Sequence, residues 1–423
     1  MRPVTEYSVE ELKILESELA KAYQDLQNRG LKLDMSRGKP ASSQLDLCNA
    51  ALEKLTNYRT AANFDARNYG ILDGIPEMRN YFGELLGIDP ENIIVGGNSS
   101  LNLMYDMFSQ LMLKGTGGNT PWCKLEKIKF LCPSPGYDRH FAICENFGIE
   151  MIPVKMTPAG PDMDEVEALA ATDDAIKGIW CVPLYSNPQG ICYSDETVAR
   201  LGRMKCAAAD FRIFWDNAYG IHHINGEKEL ADIFAACNAG GNPDRVYYFF
   251  STSKITFPGA GVAMMASSAA NKKEILARMT CQTIGHDKLN QLRTLQFLPT
   301  PQDMKDHMKK LADCIRPKFE LVLSVLDKEF SGTGLLDWET PAGGYFIAVD
   351  TLDGCAKETV RLAKEAGVVL TGAGATYPLK KDPRDRNIRI APTLPPLHEL
   401  AEAMEVLTVC VKLAGVRKLL AGK

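Results

Sequence analysis

A single lysine, Lys254, lies between hydroxyl side chains in the stretch FFSTSKITFPGAGVA, residues 249–263. The apolar run at residues 246–250 predicts a buried strand, and the Ser-Thr-Ser sequence after it predicts the end of that strand. A surface lysine needs no such setting, whereas a lysine amine at the end of a buried strand can act as a nucleophile or a general base. The sequence therefore singles out Lys254 for chemistry.

Four other predicted strands also end in polar segments, namely GGNSS (96–100), PSPGYDRH (133–140), YSNPQG (185–190) and DNAYG (216–220). Ligands of open α/β sheets bind beyond the carboxyl ends of the strands, so these segments are expected to converge. Each segment alone is more often an ordinary turn, helix cap or solvated surface. The two GAG sequences, at 259–261 and 372–374, lack a full G-x-G-x-x-G pattern and predict no dinucleotide site.

Predicted strands and helices alternate between about residue 90 and residue 300. Seven segments have the short apolar character of buried strands: NIIV, KIKFLC, IEMIPV, IKGIWC, FRIFW, RVYYFF and GVAMMA. Strands joined through helices favour right-handed crossovers, which predict an α/β fold with a mostly parallel sheet covered on both faces.

The two ends of the chain have a different pattern. An N-terminal helix begins at a capping box of Ser8 and Glu11 and ends at Gly30. A long helical stretch from Asp303 to Phe330 leads into two further strands and a last helix. We predict an N-terminal segment 1–45, a large domain 46–300 and a smaller α+β domain 301–423.

Composition excludes several classes of protein. The 423 residues are 45% apolar and 24% charged with a net charge of −5, which is typical of a globular protein that binds neither nucleic acid nor an anionic membrane. No apolar run approaches the roughly 20 residues that cross a bilayer, and the N-terminus resembles no signal peptide. The twelve cysteines and six histidines do not cluster, so we expect no metal site, reduced thiols and a cytoplasmic location.

Taken in order, Asn187, Asp216, Tyr219, Lys254 and Arg389 resemble the site residues of the aspartate aminotransferase superfamily, whose fold-type I members depend on pyridoxal phosphate (PLP). NYGILDGIPEMR, YSNPQG, DNAYG, STSK and RIAPT follow that superfamily's order over nearly the whole chain. SRGKP, GGNSSLNLMYD, PGYDRHF and TIGHDKLNQLR are most similar to a divergent bacterial aspartate aminotransferase subgroup related to MocR regulators. The resemblance implies a seven-stranded large domain, a smaller α+β domain and a homodimer with shared active sites.

The resemblance also implies a role for each residue at the cofactor ring. Lys254 would form the Schiff base with PLP and then move the substrate's α-proton. Asp216 would keep the pyridine nitrogen protonated, and Asn187 and Tyr219 would donate to the ring oxygen. Tyr137 would stack on the ring. His140 would hold Asp216, although a lone histidine can equally be a satisfied core residue.

Phosphate and substrate contacts follow from the same resemblance. The phosphate would be held at the helix after GGNSS by Ser99 and Ser100, together with Ser251 and Ser253 and with Tyr69 from the other subunit. Gly261 stands where most relatives carry a phosphate-binding arginine, and a cation from residues 283–293, such as Lys288 or Arg293, is a candidate replacement.

Arg389 would take the substrate α-carboxylate in a two-pronged contact, and Arg386 is expected to be solvated. The segment 1–45 carries SRGKP, which is expected to close over the substrate with Gly38 at a tight approach. Arg37 or Lys39, with Arg139 as a further candidate, would meet a distal carboxylate.

The expected function is amino transfer from an L-amino acid, with L-aspartate favoured, to a 2-oxo acid, with 2-oxoglutarate favoured. β-Elimination or decarboxylation on the same fold stays an alternative, because a fold does not fix the reaction type. A ligand-sensing domain of a regulator is a second alternative, although residues 1–45 are short and not basic for a DNA-binding unit.

Overall fold

The computed structural model describes residues 2–422, so the predicted outer limits at Met1 and Lys423 lie outside the described residues. The strands are β1 (Leu33–Asp34), β2 (Ile93–Val95), β3 (Lys129–Ser134), β4 (Glu150–Thr157), β5 (Gly160–Pro161), β6 (Ile176–Cys181), β7 (Arg212–Asp216), β8 (Val246–Ser251), β9 (Ala263–Ala266), β10 (Leu336–Trp338), β11 (Ile347–Thr351), β12 (Val368–Val369) and β13 (Asn387–Ile390). The α-helices are α1 (Val9–Asn28), α2 (Ser42–Asp46), α3 (Ala50–Glu53), α4 (Pro76–Leu86), α5 (Ser100–Lys114), α6 (Asp138–Asn146), α7 (Met163–Thr172), α8 (Asp195–Arg203), α9 (Ile233–Ala239), α10 (Ala269–Met279), α11 (Lys288–Phe297), α12 (Pro301–Phe330), α13 (Ala356–Glu365) and α14 (Leu397–Ala421). Within residues 2–422, no helix has both the length and the apolar character needed to cross a bilayer.

The central sheet has the strand order β2-β9-β8-β7-β6-β3-β4-β5. Its first seven members are the seven predicted strands, and β5 adds a two-residue antiparallel edge. Strands β4, β3, β6, β7 and β8 run parallel, while β9 is antiparallel to both of its neighbours. The predicted α/β class and mostly parallel sheet are therefore confirmed.

Each face of this sheet supports its own core. Along β7, Ile213 and Trp215 pack into one buried apolar cluster and Phe214 into the other, because successive side chains of a strand point to opposite faces. The continuous apolar runs in the sequence reflect this burial on both sides, which parallel strands in α/β proteins require.

Local sequence signals set several helix ends. The Ser8 hydroxyl accepts from the Glu11 backbone N–H and the Glu11 carboxylate accepts from the Ser8 N–H, so the predicted capping box is present. Helix α4 begins at Pro76, and Gly87 after it has a φ of +70°, a left-handed conformation that glycine adopts without strain.

A third buried cluster joins the two ends of the chain. Helices α1, α13 and α14 pack with the antiparallel sheet β10-β11-β13, and the parallel pair β1 and β12 ties the N-terminal segment to it. Helix α12 links the parts, because Met304 and Met308 lie in the core of the large sheet and Phe319 and Val322 lie in this third cluster. The packing favours the division at residues 45 and 300, which stays a prediction.

Candidate active site

The carboxyl ends of the large sheet and one face of the small sheet enclose a cavity of about 460 Å³. Nine of the predicted site residues line it: Arg37, Gly38, Lys39, Tyr137, Arg139, Asn187, Tyr219, Lys254 and Arg389. These residues come from six separate chain segments, so the fold brings together what the sequence places far apart.

Lys254 lies in a single turn directly after β8, where the backbone N–H groups of Ile255 and Thr256 both donate to the Thr252 carbonyl. Its Nζ lies 5.1 Å from the centre of the Tyr219 ring and 5.8 Å from that of Tyr345. Burial lowers the pKa of the Lys254 amine, the Asp216 charge opposes this shift, and Arg389 adds to it. A lowered pKa favours the neutral amine, which is the form that attacks a carbonyl or accepts a proton.

Asp216 ends β7 and has only 2% of its surface exposed. The His140 Nε2 lies 2.9 Å from the Asp216 Oδ2, and because an ionised carboxylate only accepts, the imidazole donates. The His140 ring is stacked on Trp180 with centres 4.1 Å apart and planes 7° apart, which fixes its orientation. The predicted contact between His140 and Asp216 is present.

The second oxygen of Asp216 tests whether the site fits a pyridine ring. Oδ1 is buried, and no described residue donates to it. A buried carboxylate oxygen without a donor is costly, because it loses its hydration and gains no hydrogen bond in return. A protonated pyridine nitrogen would supply the missing donor, so the chemistry of this position fits PLP.

Tyr219 and Asn187 both offer donors to the same cavity. Burial raises the pKa of the Tyr219 hydroxyl well above its usual value, and the nearby Tyr137 and Asp216 raise it further, so the hydroxyl keeps its proton. The Asn187 Oδ1 accepts from the Arg389 Nη1 at 3.2 Å. That contact orients the amide so that its NH₂ group is free to donate elsewhere.

Arg389 projects from β13 and has a side chain only 6% exposed. Its Nη1 also donates to Asp138 Oδ1 at 3.0 Å, while Nε and Nη2 lie 3.4 and 3.3 Å from Thr371 Oγ1. The guanidinium carbon lies 4.7 Å from the centre of the Phe346 ring, a distance typical of a cation–π contact. The group is therefore held in one orientation at the cavity wall.

The structure contradicts the expectation for Arg386. Its side chain is only 17% exposed and lies within 3.4 Å of carboxylates of Asp337 and Asp350, so it is ion-paired rather than solvated. Segments distant in sequence supply these partners, which is why the polar turn around Arg386 gave no sign of them.

The SRGKP segment forms part of the cavity wall. The Ser36 and Lys39 carbonyls accept from the hydroxyls of Thr371 and Thr393 at 2.6 and 2.9 Å. A Cβ on Gly38 would stand 2.5 Å from Phe346 Cζ, so this glycine packs tightly against Phe346, while its approach to the substrate stays a prediction. Arg37, Lys39 and Arg139 all line the same cavity.

The four candidate phosphate serines lie near one another. Ser99 and Ser100 begin α5, the Ser251 hydroxyl donates to Ser253 at 3.0 Å, and the Ser253 hydroxyl donates to the Asn98 carbonyl at 3.1 Å. Tyr69 is 76% exposed and does not line the cavity of its own chain. Its proposed contact with a second subunit stays a prediction.

The loop containing Gly261 has little room for an arginine. A Cβ there would stand 3.1 Å from Thr252 Oγ1 and 3.2 Å from the Ser253 nitrogen. The Arg293 Nη2 donates to the Ala260 carbonyl at 2.9 Å, so part of this guanidinium already holds the loop. Lys288 is buried with Nζ 3.4 Å from the His286 carbonyl. A cation from residues 283–293 therefore stays a prediction.

Sequence reasoning missed five residues around the site. Trp180 supports His140, Phe346 and Thr371 hold Arg389, Asp138 pairs with Arg389, and Tyr345 flanks Lys254 while its hydroxyl accepts from Gln44. Only Asp138 had a usable signal, since it lies inside the PSPGYDRH segment. The others lie within predicted strands or an uninformative loop.

Comparison with known proteins gives a family for the chain. The sequence profile of the family described as aspartate amino-transferase matches residues 7–423. An aspartate aminotransferase of Corynebacterium glutamicum is 43% identical over 414 residues, covering 97% of this chain and 96% of that protein. The crystal structure of an aspartate transaminase from C. glutamicum superposes with a TM-score of 0.96 at 42% identity and covers 99% of both chains.

A more distant structure shares the fold. An α-aminoadipate aminotransferase of Thermus thermophilus, solved with N-(5'-phosphopyridoxyl)-L-leucine, superposes with a TM-score of 0.74 at 20% identity and covers 94% of this chain and 96% of that one. The predicted fold type and enzyme class, a PLP-dependent aminotransferase, are confirmed, whereas the link to MocR regulators stays a prediction. The chain belongs to the aspartate amino-transferase family.

Proposed function

We propose that this enzyme transfers the amino group of L-aspartate to 2-oxoglutarate. The proposal rests on one observation, which is that Lys254 and Arg389 line the same cavity. Asp216 is buried beside this cavity, and no described residue donates to its Oδ1. The identity to the C. glutamicum aspartate aminotransferase supports the choice of substrate.

Each residue has a role that follows from its position. Arg389 would bind the substrate α-carboxylate, and Asn187 and Tyr219 would donate to the ring oxygen of PLP. Asp216, which His140 holds in place, would accept from the pyridine nitrogen. Tyr137 would hold the ring.

When bound, PLP withdraws electrons from the substrate α-carbon and so acidifies the α-proton. The Lys254 amine then takes this proton as a general base and returns it as a general acid. A depressed lysine pKa serves both steps, because proton transfer is most effective when the pKa of the group lies near the working pH.

The charges at the cavity support a dicarboxylic substrate. Arg37, Lys39, Arg139 and Arg389 line the cavity, and Asp138 is the one acidic residue among the described residues that line it. A cleft with such an excess of one sign concentrates ligands of the opposite sign. We propose that Arg37 or Lys39 contacts the distal carboxylate, because both residues line the cavity that contains Lys254 and Arg389.

We further propose a homodimer in which Tyr69, Ser99, Ser100, Ser251 and Ser253 hold the phosphate, with Tyr69 crossing into the second subunit's site. Leu47, Leu52, Tyr58 and Tyr69 are all more than a third exposed, which favours a covering surface over this segment. Equilibrium sedimentation of the purified enzyme tests the assembly, and a monomeric mass contradicts it. A cytoplasmic location is also part of the proposal and is supported by the free state of all twelve cysteines.

A panel of amino donors with 2-oxoglutarate, followed by identification of the products, tests the reaction. We expect glutamate and oxaloacetate from aspartate, with kcat/KM for aspartate above that for alanine. Ammonia with pyruvate from a donor with a β-leaving group, such as serine, would instead indicate elimination, and alanine with carbon dioxide from aspartate would indicate decarboxylation. A holoenzyme that binds amino acids without forming any product would favour a sensing domain.

A further inference from the structure

Arg389 is almost saturated with hydrogen-bond acceptors before any substrate is present. A guanidinium has five N–H groups. The two on Nη1 point to Asp138 and Asn187, and Thr371 Oγ1 takes the Nε group and one on Nη2. Among the described residues, no acceptor contacts the remaining N–H group of Nη2.

A substrate carboxylate cannot make a two-pronged contact with a single free N–H. Two parallel N–H groups are needed, so one existing partner of Arg389 has to leave. Asn187 is only 3% exposed and neutral, whereas Asp138 is an anion with a side chain 34% exposed at the cavity wall. Among the described partners of this guanidinium, Asp138 alone carries a negative charge, so it repels a second carboxylate, whereas the neutral Asn187 and Thr371 can stay beside one.

We propose that Asp138 is a positioning residue that occupies Arg389 in place of the substrate α-carboxylate and is displaced when substrate binds. This inference rests on the proposed role of Arg389. The ion pair joins the first residue of α6 to β13 of the small sheet, so it holds the arginine at the cavity wall. Substrate binding is then an exchange of one carboxylate for another.

Two possible roles of Asp138 predict opposite changes in ligand affinity when its charge is removed. If Asp138 only competes, removing its charge frees Arg389 and tightens the binding of every ligand with an α-carboxylate. If Asp138 instead remains on Arg389 and orients it for substrate, removing the charge weakens binding. Measuring the dissociation constant of one such ligand therefore distinguishes the two roles.

The experiment is calorimetric titration of the PLP-loaded enzyme with maleate, a dicarboxylate that has no amino group to react. Asp138→Asn keeps the shape and removes the charge, and Asp138→Ala removes the acceptor as well. We expect maleate to bind each variant about tenfold more tightly, a change of about 1.4 kcal/mol, because the pair has one buried and one partly exposed member. The KM for aspartate should also fall in both Asp138 variants.

Two further variants make the result specific. Asp164→Asn changes net charge equally at an 89% exposed side chain on α7, and it should leave maleate binding unchanged. Arg389→Ala should lose maleate binding. If wild-type enzyme binds maleate and Arg389→Ala does not, the proposed carboxylate site stands. Unchanged or weaker binding in both Asp138 variants would then overturn this inference alone, whereas tighter binding supports it.

Discussion

Replacement of Arg389 with lysine tests how the substrate carboxylate is held. Lysine keeps one positive charge but cannot supply two parallel N–H groups, and it cannot reach Asn187, Asp138 and Thr371 together as the guanidinium does. Breaking one charge-assisted hydrogen bond in a site this buried costs about 2–4 kcal/mol in kcat/KM. That range corresponds to a loss of roughly 30- to 1,000-fold.

The loss should appear mainly in KM and should be similar for aspartate and alanine, because both carry the α-carboxylate. Steady-state kinetics with each donor and 2-oxoglutarate measures it. Arg386→Lys is the matched control, since Arg386 lies three residues earlier and pairs with Asp337 and Asp350 away from the cavity. Arg386→Lys should change the free energy of unfolding but have little effect on KM. An unchanged KM for both donors in Arg389→Lys would show that the carboxylate docks elsewhere.

Three further predictions concern the lysine and the wall of the cavity. Lys254→Ala should keep PLP by its other contacts yet lose transamination by about 10²–10⁴-fold or more, and borohydride reduction of wild-type enzyme should label only the Lys254 peptide by mass spectrometry. Asp216→Asn should lower the Lys254 pKa further, because the Asp216 charge raises that pKa. Amine-reactive labelling of Lys254 in the PLP-free protein should therefore begin at lower pH in the variant. Labelling that begins at higher pH would contradict the prediction. Gly38→Ala should raise KM for aspartate, because the new Cβ would displace the Phe346 ring beneath Arg389 at a cost of about 1–3 kcal/mol. Gly372→Ala is the control and should leave KM unchanged, because Gly372 lines the same cavity but has open space around its Cβ position.

Much of the fold could be predicted from local signals. The short apolar runs, the alternation with helices and the capping residues at Ser8 and Gly87 each depend on neighbours a few positions away in the chain. Parallel strands bring their carboxyl ends to one edge of a sheet, so Asn187, Tyr219 and Lys254 could be assigned to a common site before any contact was known. The seven strands and the site's location therefore follow from the sequence alone.

The tertiary structure decided how those residues are held. Asp138 and Arg389 are separated by 251 positions, and no periodicity or turn signal connects them. The stacking of Trp180 on His140 joins β6 to α6, and the ion pairs of Arg386 join it to β10 and β11, so both depend on how segments distant in sequence pack together. A sequence determines which side chains stand at the end of each strand; which of their hydrogen bonds are already taken is set by the packing of remote segments against one another.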